Sequence, residues 1–98
     1  ADEKKIIFIT STSNIAPLAF KIANQLRSLN SSVALDMDLT DSSLKAKLRR
    51  ANKTNASHAL ILGDKEIDSK NIIIKSLMDD TEQVSVSIEE CLDFYNKI

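Results

Sequence analysis

Residues 44–66, LKAKLRRANKTNASHALILGDKE, decide the fold: a basic helical pattern, then a strand, then a turn opened by the only glycine of the chain. From Lys45 to Lys53 the segment carries Lys45, Lys47, Arg49, Arg50 and Lys53 without one carboxylate. Leu44, Leu48 and Ala51 recur at helical spacing and predict a thin buried stripe, while Lys45, Arg49 and Lys53 line one flank of a cationic surface. Just ahead, Thr40-Asp41-Ser42-Ser43 offers several N-caps, and just behind, Asn55 tolerates the left-handed backbone that ends a helix. Ala59-Leu60-Ile61-Leu62 is then a short apolar run, the pattern of a strand buried on both faces, and Gly63 stops it.

Working outward, Lys5-Ile6-Ile7-Phe8-Ile9-Thr10 reads as another central strand. The polar stretch Ser11 to Asn14 follows, with Asn14 as N-cap, and Ile15, Leu18, Ala19, Ile22, Ala23, Leu26 and Leu29 predict an amphipathic helix ending near Asn30. Phe8 and Phe20 both read as core. Val33, Leu35 and Met37 alternate with Ala34 and Asp36 as a second strand. Strands separated by helices of this length require right-handed crossovers and a mainly parallel sheet. The pattern then changes. Asn71 to Leu77 and Gln83 to Val86 are strands separated only by Met78-Asp79-Asp80-Thr81-Glu82, which predicts an antiparallel hairpin. Ser87 with Glu90 forms a capping box, and Ile88, Cys91, Leu92, Tyr95 and Ile98 mark the buried face of a last helix. The expected fold is three-layered α/β, a mixed five-stranded sheet of three mainly parallel strands plus a C-terminal hairpin, with three helices.

The 98 residues fit one domain over 1–98, with 43% apolar and 28% charged residues and no apolar run long enough to cross a bilayer. The chain starts at Ala1 in a charged stretch, as a domain cut from a longer chain would. Cys91, the single cysteine, cannot pair within the chain and reads as a small apolar residue with no role. His58, the single histidine, has no companions at ligand spacing, so neither a zinc site nor a hydrolase triad is expected. With one glycine, no phosphate loop can be written. A small α/β enzyme is therefore disfavoured, whereas the local cation cluster, on a chain of net charge −1, suits phosphates.

Three stretches together, Leu44 to Lys53, Ala56 to Glu66 with its Gly63-Asp64-Lys65-Glu66, and Ile73-Ile74-Lys75, resemble the C-terminal anticodon-binding domain of class II aminoacyl-tRNA synthetases, the histidyl-tRNA synthetases most of all. The resemblance runs from Ile6 to about Tyr95 and includes the first-helix pattern Ala19 to Arg27. Two glycines usual in the family are absent: Asn30-Ser31-Ser32 stands in place of one and Asn55 in place of the other, and asparagine tolerates the same backbone.

The resemblance implies binding of anticodon bases, and no catalysis in this domain. Unpaired bases present hydrogen-bonding edges, so a reader needs acceptors and donors for the bases and cations for the phosphates. By resemblance, Glu66 beyond the third strand and Lys75 on the fourth sit at positions that contact anticodon bases. Thr40 and Asp41 lie at the corner where family members touch bases, though capping the second helix already gives them a structural task. Lys45 matches a recurrent family lysine and is placed to contact tRNA, with Arg49 and Lys53 as supporting phosphate contacts. Ser11, Thr12, Ser13 and Asn14 sit at the C-terminal edge of the parallel strands, where ligands of open α/β sheets bind, but capping suffices for them. No cofactor or metal is expected here. The parent chain implied is a cytoplasmic homodimeric ligase using ATP and charging tRNA-His. The rival expectation is a protein-interaction or dimerisation module of the same fold, its interface built from the hairpin and Ile88, Leu92 and Ile98.

Overall fold

The structure is a computed structural model and describes residues 4–10, 16–30, 32–38, 43–63, 71–78 and 82–97. Strand β1 (Lys4–Thr10) leads to α1 (Ala16–Leu29), β2 (Val33–Asp38), α2 (Leu44–Lys53) and β3 (His58–Leu62). Strands β4 (Asn71–Ser76) and β5 (Val84–Ser87) and helix α3 (Ile88–Lys97) complete the domain. The sheet order is β2-β1-β3-β4-β5. β1 pairs in parallel with β2 and β3, and the β3–β4 and β4–β5 pairings are antiparallel. The expected mixed sheet, with its parallel trio and hairpin, is what forms.

Because strand side chains alternate between faces, the apolar runs of β1 and β3 feed two cores at once. On the first face Ile6 and Phe8, Leu60 and Leu62, and Ile72 and Ile74 pack under Ile22 and Leu26 of α1 and Cys91 and Tyr95 of α3. On the second face Ile7, Ile9, Ala59 and Ile61 meet Ala51 of α2 and Ala56. Among the described residues, two helices thus cover one face and a single helix the other. Three local devices foreseen in the sequence are present. Ser43 caps α2 by accepting from the Ala46 N–H at 3.2 Å. Asn55 has φ 61° directly after that helix. At the start of α3, Ser87 Oγ accepts from the Glu90 N–H at 3.1 Å, and the Ser87 hydroxyl meets Glu90 Oε1 at 3.1 Å.

Asn30 makes its own turn. Its Oδ1 accepts from the Ser32 N–H and hydroxyl, and its Nδ2 donates to the Tyr95 carbonyl at 3.2 Å, fastening the end of α1 to α3. Three apolar assignments are corrected. Phe20, expected in the core, is 49% exposed, and Leu29 and Leu44 are also exposed. Ala19, Ile22, Ala23 and Leu26 occupy the inward arc of α1, which turns Phe20 outward at 3.6 residues per turn.

Burial holds two groups protonated. It pushes the Cys91 thiol from 9.0 up to about 12, and it raises Tyr95 above 10.0 against the opposing pull of the Arg27 guanidinium. A group whose pKa is raised by folding contributes stability that is whole below its unfolded pKa and is lost as pH climbs through the folded value. The melting temperature should therefore hold to about pH 9 and fall beyond it, and Cys91→Ala should flatten that fall. Equal alkaline slopes for the variant and the parent protein would remove Cys91 as a cause.

Candidate nucleic-acid interface

Helix α2 lies on the second face above β1, as the crossover from β2 to β3 requires. Its five cations have different fates. Lys47 is completely buried and donates from Nζ to the carbonyl of Thr10, at the end of β1, whose own hydroxyl is buried without a hydrogen-bond partner among the described residues. Arg50 clasps Asp38 of β2, from Nε at 3.1 Å and from the guanidinium NH2 at 3.0 Å, and Asp38 is only 8% exposed. The expected surface of five cations is thereby corrected to three. A lysine stem fills the core beside Ala51, and a buried carboxylate claims the arginine. Asp38 was the residue missed. Its signal was available, since it follows Ala34 and Asp36 onto the face that α2 covers.

Lys45, Arg49 and Lys53 are exposed and form no ion pair among the described residues. At 3.6 residues per turn, with Lys47 and Ala51 inward, Arg49 and Lys53 point away from the sheet and Lys45 lies across the helix from Arg50. Arg50 reaches the β2 edge, which leaves Lys45 on the side toward β3. There the second face changes character. Ile73 and Leu77 pack at the margin of the α2 core, but among the described residues no helix covers β4 and β5 on this side. Lys75, registered against Ala59, stands half-buried between them on the same face. Alternation places Ile73 and Asn71 on the same face further along β4, with Ser85 opposite Ile73 on β5. The structure thus brings Lys75 and the free flank of α2 to one side of the sheet. Glu66, Thr40 and Asp41 lie outside the described residues, as do Ser11, Thr12, Ser13, Asn14, Asp79, Asp80 and Ile98.

The opposite face is differently charged. Helix α3 packs there and exposes Glu89, Glu90 and Asp93, the last paired with Lys97 at 2.9 Å. Ile88 and Leu92, expected at a protein interface, are partly buried against the domain's own first core. His58 is half-buried and meets the Phe94 ring edge-on, centroids 5.2 Å apart. Among the described residues no group of histidine, cysteine and acid side chains could hold a metal ion, and no helix is long and apolar enough to cross a membrane.

Among the described residues, a sheet face covered by α2 alone, beside the carboxylate-free cationic sequence of that helix, is a surface suited to a polyanion. The anticodon binding domain family matches residues 5–98, and the chain belongs to that family. A histidine–tRNA ligase of Methanosphaerula palustris is 34% identical over 87 residues, 89% of this chain and 20% of the relative. That of Chloroherpeton thalassium is 40% identical over 83 residues, 84% of this chain and 19% of the relative. The chain thus spans about a fifth of the length of these relatives. In fold it is similar to a histidyl-tRNA synthetase from Nostoc sp. PCC 7120, with TM-score 0.84 and 18% identity over 98% of this chain and 22% of that one. The RNA binding domain of threonyl-tRNA synthetase from Cryptosporidium parvum Iowa II superposes with TM-score 0.87 at 11% identity, covering 98% of this chain and 24% of that one.

Proposed function

We propose that this domain binds the anticodon loop of a tRNA on its second sheet face, without catalysing a reaction, as part of a histidine–tRNA ligase. The observation that carries this is the family match over 5–98, joined to the placement of Lys75 and the Lys45–Arg49–Lys53 flank on one face. Lys75 donates to base carbonyls, and Glu66 accepts from base amino groups. Lys45, Arg49 and Lys53 hold phosphates, which sets register without reading sequence. Thr40 and Asp41 contribute at the adjacent corner. On this proposal the parent enzyme is a cytoplasmic homodimer that uses ATP to join histidine to tRNA-His, with the chemistry outside this domain.

The test is binding to anticodon stem-loops that differ only in their anticodon bases, titrated at two salt concentrations. The histidine anticodon should bind tightest. Lys75→Met and Glu66→Gln should each cost about 1–3 kcal/mol of base discrimination, whereas Lys45→Gln should weaken all stem-loops alike and lower the salt slope by about one. Equal losses for every anticodon in the Lys75 and Glu66 variants would overturn base reading, and no binding at all would overturn the proposal.

A further inference from the structure

Helix α2 has little apolar surface with which to hold itself to the sheet. Of its residues, Lys47 and Ala51 are the buried ones, Leu48 is partly buried and Leu44 is exposed. Apolar contact has no direction, so a stripe this thin leaves the helix free to roll about its axis. Two polar anchors supply the missing direction. Lys47 donates to the Thr10 carbonyl at the end of β1. Arg50 donates to Asp38, the last residue of β2, from Nε to Oδ2 at 3.1 Å and from Nη2 to Oδ2 and Oδ1 at 3.0 and 3.3 Å. Ile9 and Asp38 are register partners, so both anchors lie at the same end of two neighbouring parallel strands. A planar fork on a carboxylate fixes rotation as well as distance, which a single ammonium does not. Lys45, Arg49 and Lys53 are exposed on that helix, and a roll would swing all three together.

We propose that Arg50 and Asp38 are positioning residues for RNA binding: their clasp sets the rotation of α2 and so aims Lys45, Arg49 and Lys53 at phosphates, while Arg50 holds no phosphate itself. This inference rests on the proposed anticodon binding and names what aims its phosphate contacts. The Arg50 side chain is 45% exposed, open enough to touch RNA directly, so the two roles must be told apart by their electrostatics. Asp38 is a carboxylate beneath the cationic helix, and by charge alone its removal would raise the local positive potential and tighten the hold on a polyanion. By positioning, the same change weakens binding, because a helix that can roll must be ordered when RNA arrives.

The experiment measures binding of the 98-residue chain, Asp38→Asn, Arg50→Met, Arg50→Lys and the double variant Asp38→Asn with Arg50→Met to anticodon stem-loops at two salt concentrations. Melting temperatures are taken alongside, and binding is read well below all of them. Each variant should bind every stem-loop about five-fold more weakly, with the salt slope of the unaltered chain. Arg50→Lys, which keeps the charge and loses the fork, should lose as much as Arg50→Met. The double variant should lose no more than either single one, the mark of two residues acting as a unit. Tighter binding by Asp38→Asn, additive losses with a salt slope lowered by about one in Arg50→Met, or unchanged affinity in every variant would each overturn the inference while leaving anticodon binding intact. Absence of binding by the unaltered chain would overturn both.

Discussion

Lys47→Ala is expected to destabilise the domain by about 2–4 kcal/mol, as a core truncation would, and to leave the salt dependence of RNA binding almost unchanged. The reason lies in where the side chain ends. Its stem is wholly buried in α2 and its ammonium donates to the Thr10 carbonyl, so alanine leaves a cavity and an unsatisfied buried acceptor together. Lys47→Met keeps most of the volume and loses only the donor, and should cost about 1–2 kcal/mol. Denaturant midpoints of the two variants measure this. An unchanged midpoint for Lys47→Ala, with a lower salt slope, would return Lys47 to the cationic surface.

Tyr95→Ala carries the largest expected penalty, about 3–5 kcal/mol. Tyr95 is the largest of the fully buried side chains, and its ring sits where α3 meets the α1 side of the sheet. Its hydroxyl donates to the Val33 carbonyl at 3.1 Å, tying the last helix to the edge strand β2 across 62 residues of sequence. Tyr95→Phe removes that bond alone and should cost about 1 kcal/mol, because net hydrogen-bond contributions are modest beside a ring's burial. Guanidinium unfolding of the pair separates the two contributions. A phenylalanine variant as unstable as the alanine one would place the weight on the hydroxyl instead of the ring.

The elements were legible because each rests on local chemistry. The runs Ile6 to Ile9 and Ala59 to Leu62 had to be buried on both faces, Ser87 and Glu90 cap within one turn, and Asn55 tolerates the backbone that closes α2. Side-chain fates were less legible because they depend on distant partners. Nothing in the spacing of α2 distinguishes Lys47 from Lys45; the Thr10 carbonyl, 37 residues away, does. Arg50 likewise looked like surface charge until Asp38 was seen to be buried beneath it. Phe20 was assigned to the core by residue type, but the small residues Ala19 and Ala23 hold the inward arc. For the interface, Lys75 and the α2 flank reach one face because β4 follows β3 in the sheet, a topological fact that motif spacing alone does not contain.

The shortest dimension of the domain is 22 Å, and the sheet divides it into a face bearing α2 and a face bearing the acids of α3. At physiological ionic strength the screening length is about 8 Å, so a phosphate at α2 does not sense Glu89 or Glu90 on the far side. At roughly 0.01 M salt that length grows to about 30 Å and spans the whole molecule. In dilute buffer the α3 acids therefore oppose the pull that α2 exerts on an approaching polyanion, and added salt confines the encounter to the cations nearest the contact.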